Sequence, residues 1–508
     1  MTDTNEKKQL SQNNQAEVSS YRSIFKATSI FGGVQIWRII IQIVKQKAIA
    51  LLLGTTGMGI CGLYMSSIKL IQDFTSMGLD KSAVKNVAEA NGAGNDERIR
   101  RVVTALRKLV WVTGILGMVA VIILSPLLSK SSFGNYDYTI PFIILSVSLL
   151  VQQLTSGQLV VLQGLRKIKQ LALANVLGAF FGLVISIPIY YLWGVKGIVP
   201  TLILDAVTTF SLSYYFTRKL QIKPVQLSLK ETVGEGKSMV GMGLALSLNG
   251  ILVSGVAYVI NIFIARIGGT AQVGLYAAGT AIVNSYVGMV FSAMSTDYYP
   301  RLSGMSQDNE KCRIVINQQA EIATLIIAPL ASVFIVAAPL IVIILYSNDF
   351  LSIVPFMQLA MLGMLFKVGS WSISYLFLAK GDVKTFIKNE IGIKIFNLPL
   401  YLILYYLLGL KGIGLGFLIN YCVYFGLVYI MARKKYQFHL SKEYINLFVC
   451  MFLLMSVVSL VVFFLKQSLI TYIISAIIII VCCFFSYKEL NKRLSLRSFI
   501  KEKIRKKH

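Results

Sequence analysis

Fourteen stretches of about twenty apolar residues, the length a helix needs to cross the hydrocarbon of a bilayer, can be placed along this chain. In lipid every backbone N–H and C=O must be satisfied within a helix or a closed barrel, and continuous apolar runs of this length select the helix. The expected fold class is an all-α polytopic membrane protein with about 14 transmembrane helices. The spans fall at 28–53, 60–86, 108–129, 138–163, 172–192, 197–217, 239–265, 273–299, 317–346, 351–379, 387–408, 412–432, 444–465 and 469–487. Composition agrees, because 56% of the 508 residues are hydrophobic and only 14% are charged, too apolar for a soluble protein.

The formal net charge is +27, a balance that in a soluble chain would point to nucleic acid. Here most cations sit in short segments between apolar runs, where they face anionic lipid, so no nucleic-acid partner is expected. One set of connections carries Arg98, Arg100, Arg101 and Arg107, then Arg166, Lys167 and Lys169, then Arg218, Lys219 and Lys223, and continues through Arg301, Lys380 and Arg433 to the tail "KEKIRKKH". Alternate connections carry at most one or two cations each, such as Lys130, Lys196 and Lys411. An excess of Lys and Arg marks the cytoplasmic side, which predicts that both termini are cytoplasmic. The polar segment 1–25 reads as a disordered tail without a cleaved signal, and 491–508 as a basic cytoplasmic tail. The six cysteines lie mostly inside apolar runs without ligand spacing, and the two histidines, His439 and His508, fall in basic stretches. Neither a metal site nor histidine-based catalysis is expected. "GEGKS" (234–238) imitates a phosphate-binding loop, but Glu231 stands where its first glycine belongs, so no nucleotide site is expected.

An internal repeat divides the chain. "YYLWGVKGI" (190–198) answers to "YYLLGLKGI" (405–413), with seven of nine residues identical. "GICGLYMSS" (59–67) answers to "AQVGLYAAG" (271–279), and "NDERIRRVV" (95–103) to "DNEKCRIVI" (308–316). Each unit holds six spans, an even number, so the copies insert in the same orientation, a recurring transporter plan. The predicted organisation is a first lobe at 26–218, a cytoplasmic linker at 219–237, a second lobe at 238–434 and two further helices within 435–490.

Charges inside the spans are costly and therefore informative. At 100° per residue Gln35, Arg38, Gln42, Lys45 and Gln46 fall within an arc of roughly 100° on the first span, a polar stripe that must face protein or water. Lys69 and Asp73 stand four residues apart in the second span, Asp205 lies in the sixth, Lys367 in the tenth and Lys394 in the eleventh. Lys69 and Asp73 suit an internal ion pair, and Asp73 suits Arg38 as an alternative partner. The cations outnumber the nearby acids, which predicts a cationic cavity lined by Arg38, Lys45, Lys69, Lys367, Gln35 and Gln42. Such a cavity suits an anionic cargo, above all phosphate or diphosphate, which guanidinium matches in bidentate fashion.

Four stretches carry a family resemblance: "GMGICGLYMSSIKLIQDFTSMGLDKSAVKNVAEANG" with "ERIRRVV" (57–103), "LVVLQGLRKIKQLALANVLGAFFGLV" (159–184), "FKVGSWSISYLFLAKGDVKTF" (366–386) and "GLKGIGLGFLINYCVYFGLVYIMARKK" (409–435). Together they resemble the polysaccharide-transporter branch of the multidrug/oligosaccharidyl-lipid/polysaccharide exporter superfamily, and within it the O-antigen and enterobacterial-common-antigen flippases. The resemblance implies two six-helix lobes around a V-shaped, positively charged cavity. It also implies a bacterial inner-membrane flippase that turns an undecaprenyl-diphosphate-linked oligosaccharide from the cytoplasmic to the periplasmic leaflet by alternating access. Membrane lipids and the polysaccharide polymerase and chain-length machinery are the partners that go with it. No cofactor is expected; a proton or sodium gradient is the expected energy source, with Asp73 or Asp205 as the carrier. Many relatives end after twelve helices, so the pair at 444–487 is a departure. A drug/cation antiporter of the same superfamily is the competing reading, although it would prefer acids to cations. A polysaccharide polymerase or ligase would show a large outer loop or an acidic metal-binding loop, and a scaffold would have no use for mid-membrane charges.

Overall fold

A computed structural model describes residues 2–465 and 468–494, with side chains from Trp37 onward except for a few positions in the seventh and eighth spans and at residue 494. The described residues are predominantly helical and contain no strand. Its helices are α1 (Thr2–Thr75), α2 (Leu79–Gly92), α3 (Asp96–Phe133), α4 (Thr139–Gly164), α5 (Ile168–Trp193) and α6 (Ile198–Arg218). They continue as α7 (Leu229–Gly304), α8 (Asn309–Leu345), α9 (Val354–Ala379), α10 (Val383–Leu408), α11 (Leu410–Tyr436), α12 (Lys442–Phe464) and α13 (Leu469–Leu494). Among the described residues eleven segments are long and apolar enough to cross a membrane. Three of them, Trp37–Thr75, Ile168–Arg218 and Ser247–Ser292, are interrupted at Gly54, Gly194 and Gly269 and hold two crossings each, which makes fourteen.

The breaks reveal the repeat more clearly than the sequence does. Gly54 and Gly269, 215 positions apart, share φ/ψ of 66/−167 and 79/173. Gly194 and Gly409, again 215 apart, share 54/−133 and 60/−142. Residues with a Cβ rarely adopt such angles, so glycine fixes where each helix turns back. The correspondence extends to Arg166 and Gly381, with φ of 56 and 71, and, at an offset one residue longer, to Gln221 and Gln437, with φ of 51 and 54. Lys167 and Asp382 open α5 and α10 with the same φ/ψ, −81/59 and −82/59. Asp382 caps the Thr385 N–H and binds Lys435 Nζ at 2.7 Å. The Lys435 ammonium above all holds its carboxyl below the usual carboxylate range.

Several elements depart from the expected boundaries. The second span stops at Thr75 rather than running through residue 86, because Met77 and Gly78 are left-handed with φ of 51 and 61. A Cβ on Gly78 would strike the Gly243 backbone, and one on Gly243 would strike Met77, so this turn is clamped against α7. Asp73 consequently lies in the last turn of its helix rather than near mid-span. Residues 2–25 enter as the start of α1, in keeping with the helix propensity of their Glu, Lys, Gln and Ala residues; the basic tail beyond 494 lies outside the described residues.

The chain divides into two compact units, Met1–Tyr258 and Val259–His508. The division falls inside α7 because the start of that helix is fastened to the first unit. Arg98 Nη1 donates to Glu235 Oε1 at 2.5 Å, and Arg101 pairs with Glu231 at 3.4 Å. Ser228 and Glu231 form a reciprocal capping box, with the Ser228 N–H on the Glu231 carboxylate (2.8 Å) and the Glu231 N–H on Ser228 Oγ (3.2 Å). The "GEGKS" residues are spent on such contacts, Ser238 accepting from Asn86 Nδ2 at 2.8 Å. In the second unit α12 and α13 pack on α8, where Arg493 on α13 reaches Glu321 at 2.7 Å.

Gly409→Ala should lower the thermal unfolding midpoint in detergent, by a destabilisation of about 1–3 kcal/mol, because its backbone angles admit only glycine without strain. Gly392→Ala, inside α10 with open space around a new Cβ, should be neutral or stabilising by up to about 1 kcal/mol. Equal effects at the two positions would contradict the assigned break.

Candidate functional site

In the first unit Lys45 of α1 meets Asp205 of α6 as an ion pair. The side chains are 24% and 22% exposed, shielded yet still within reach of water. A neighbouring glycine makes room for the pair: a Cβ on Gly182 of α5 would stand 2.6 Å from Asp205 Oδ1. One turn along α5, Ser186 donates to the Gly182 carbonyl at 2.5 Å and lies 3.4 Å from Asp205 Oδ1. Asp205 therefore has both a cation and a hydroxyl, as an ionised carboxylate away from bulk water requires.

Two turns back on the same face of α1, Arg38 is exposed, as is Gln42. Among the described residues no carboxylate lies within 4 Å of Arg38. The Gln35 side chain lies outside the described residues. Lys69 pairs with Asp73 at 2.6 Å, the local i, i+4 arrangement rather than the alternative with Arg38. Lys69 is the exposed member, and with Gln72, Gln152 and Leu202 it lines a cavity of about 320 Å³.

In the second unit Lys367 of α9 has no carboxylate within 4 Å among the described residues. Its ammonium is held among aromatic faces, 5.3 Å from the Tyr421 centroid, 5.5 Å from Phe291 and 5.8 Å from Phe417. Cation–π attraction of this kind contributes roughly 0.5–2 kcal/mol per contact and leaves the charge uncompensated. Lys394 instead pairs with Glu390 at 3.7 Å, and Glu390 accepts from Tyr424 Oη at 2.6 Å.

The 215-residue correspondence relates these places. Lys367 stands where the first unit has Gln152, and Phe417 stands where it has Leu202; both counterparts line the Lys69 cavity. Asp205 corresponds to Asn420 and Gly182 to Asn397. Both asparagines carry a buried side-chain oxygen without a hydrogen-bond partner. Asp205 thus has no acidic counterpart in the second unit, which holds neutral amides at the two corresponding positions.

Sequence reasoning grouped Lys45, Lys69, Arg38 and Lys367 as one set of cations. The structure separates them into two that are paired, Lys45 and Lys69, and two that have no acidic partner among the described residues, Arg38 and Lys367. Glu390 and the aromatic cage were missed. The spacing of Glu390 and Lys394 was visible at i, i+4, but nothing in the sequence brings Phe291, Phe417 and Tyr421 together.

A family model described as "Polysaccharide biosynthesis protein" matches residues 48–355, more than half of the chain, and the chain belongs to that family. It is 22% identical over 403 residues to the lipid III flippase of Escherichia coli (strain K12), covering 77% of this chain and 94% of that one. The lipid III flippase of Shigella flexneri matches equally. Among solved structures, the lipid II flippase MurJ in an inward closed conformation aligns with a TM-score of 0.65 at 13% identity, over 91% of this chain and 99% of that one. An inward-facing multidrug resistance MATE family transporter of the MOP superfamily aligns with a TM-score of 0.64 at 16% identity, over 79% and 94%. The fold is therefore that of MOP-superfamily transporters, and the relatives with which the chain aligns are named as flippases and transporters.

Removing one member of the Lys45–Asp205 pair should be costly, because the other charge is then stranded: Lys45→Ala or Asp205→Ala is expected to destabilise by about 3 kcal/mol. The double variant should cost less than the sum of the singles. Additive losses in thermal unfolding would contradict the pairing.

Proposed function

We propose that the protein is a flippase that carries an undecaprenyl-diphosphate-linked oligosaccharide, an O-antigen or related surface-polysaccharide repeat unit, from the cytoplasmic to the periplasmic leaflet of a bacterial inner membrane by alternating access. The observation that carries this reading is that two cations in the apolar spans, Arg38 in the first repeat unit and Lys367 in the second, have no carboxylate partner among the described residues. A cation in hydrocarbon costs about 2.5–3.5 kcal/mol on insertion scales, and a pyrophosphate offsets that cost while it is bound. Guanidinium supplies bidentate hydrogen bonds to phosphate oxygens, and an ammonium supplies a point charge. Lys69 with Gln152, beside the 320 Å³ cavity, adds donors suited to sugar hydroxyls. The names of the relatives, lipid III flippase and lipid II flippase, support a lipid-linked glycan as cargo.

The same geometry weighs against a drug/cation antiporter. The aromatic faces that would receive a cationic drug, Tyr421, Phe291 and Phe417, already hold the Lys367 ammonium. Asp205 is our candidate for coupling to a proton or sodium gradient: on protonation it would release Lys45, a switch between two charge arrangements. Asp73, at the end of its helix and paired with Lys69, is the second candidate. The loop charges support cytoplasmic termini. A polymerase and chain-length machinery on the periplasmic side would be the natural recipients of the cargo.

Arg38→Ala and Lys367→Ala should each abolish surface-polysaccharide export in a flippase-null strain, at normal expression and membrane insertion. Lys367→Gln, which installs the residue of the first unit, should fail as Lys367→Ala does. Complementation by both alanine variants would refute the cationic-site reading.

A further inference from the structure

The first unit has a second basic site, away from the ion pairs described above. Between α3, α4 and α6 lies a groove of about 910 Å³ lined by Arg107, Arg218 and Lys223, with no Asp or Glu among its lining residues. Arg107 is half-buried, and among the described residues no carboxylate lies within 4 Å of it. The walls are graded along the helices. Trp111 follows Arg107 by one turn of α3 and Tyr214 precedes Arg218 by one turn of α6, so cations sit at the mouth and aromatic rings one turn deeper. Leu154 and Phe210 continue the wall with apolar surface. Trp and Tyr favour the headgroup level of a bilayer, and Lys and Arg favour its anionic surface.

The mouth is a built structure. The connection that supplies Lys223 is strapped along α3, where the Val225 N–H donates to Thr104 Oγ1 at 3.2 Å and Lys108 Nζ donates to the Leu227 carbonyl at 2.6 Å. Leu227 is buried. One polar atom in the groove is unsatisfied: Gln158 Oε1 is buried with no hydrogen-bond partner. A buried carbonyl oxygen left this way is costly and calls for a donor.

We propose that this groove binds an anionic glycerophospholipid whose headgroup carries a free hydroxyl, of the phosphatidylglycerol type. The phosphate lies against Arg107, Arg218 and Lys223, a headgroup hydroxyl donates to Gln158 Oε1, and an acyl chain follows Trp111 toward Leu154. Phosphatidylethanolamine brings an ammonium into a groove that has no acid to receive it. Phosphatidic acid brings the phosphate without the hydroxyl.

The test is native mass spectrometry of the purified, delipidated full-length protein, titrated in parallel with phosphatidylglycerol, phosphatidylethanolamine, phosphatidic acid, undecaprenyl diphosphate and inorganic phosphate. Wild type should retain phosphatidylglycerol over phosphatidylethanolamine by roughly tenfold or more. The variant Arg107→Gln/Arg218→Gln/Lys223→Gln should lose that preference, Arg107→Lys/Arg218→Lys should keep most of it, and Gln158→Leu should erase the margin over phosphatidic acid. Should the triple variant not fold, brominated phosphatidylglycerol decides in its place: it should quench a fluorescence component of wild type that Trp111→Phe lacks. Equal retention of phosphatidylglycerol and phosphatidylethanolamine would overturn the proposal, as would a preference unchanged in the triple variant, or no quenching at Trp111. Displacement of phosphatidylglycerol by undecaprenyl diphosphate at these residues would assign the groove to cargo, and displacement by inorganic phosphate would reduce it to an anion site; both refute a glycerophospholipid site. None of these outcomes depends on flipping activity.

Discussion

Hydrocarbon does not tolerate an uncompensated charge, and much of what distinguishes the two halves of this protein follows from how each treats its cations. Lys45 is neutralised by Asp205 across α1 and α6, with Gly182 clearing the space in which they meet. Lys69 is neutralised within its own helix by Asp73. Arg38 and Lys367 have no such partner among the described residues, and they persist by different means. Arg38 remains exposed on its helix face, while Lys367 rests among three aromatic faces that lower its cost without cancelling its charge.

The duplicated architecture makes this asymmetry readable. Glycine breaks recur 215 positions apart with nearly the same backbone angles, so corresponding residues can be compared directly. Asp205 gives way to Asn420 and Gly182 to Asn397, which leaves Asp205 without an acidic counterpart in the second unit. Gln152 gives way to Lys367, which gives the second unit a cation where the first has an amide. Each unit thus keeps the helical frame and specialises its polar residues. The first holds the Lys45–Asp205 pair and the exposed Arg38, and the second holds Lys367 among aromatic faces and Lys394 against Glu390.

Much of the fold was legible in the chain. Apolar runs of membrane length give the crossings, and "YYLWGVKGI" against "YYLLGLKGI" gives the repeat, because a left-handed glycine at a helix break leaves a local mark. The end of the second span was not legible. Met77 and Gly78 turn the chain only because Gly243, far away in sequence, packs against them. The site was half legible for the same reason. An i, i+4 pair such as Lys69–Asp73 is visible on a helical wheel. The Lys45–Asp205 pair spans 160 positions, and the cage of Lys367 draws on two other helices, α7 and α11, so neither leaves a periodic signature.

The most direct measurement is translocation in proteoliposomes of two fluorescent polyprenyl-linked oligosaccharides, alike except that one carries a diphosphate and the other a neutral linkage. If uncompensated cations receive the diphosphate, wild type should flip the charged lipid and leave the neutral one, and the combined Arg38→Ala/Lys367→Ala variant should flip neither. Equal flipping of both lipids by wild type, or undiminished flipping of the charged lipid by the variant, would contradict the account.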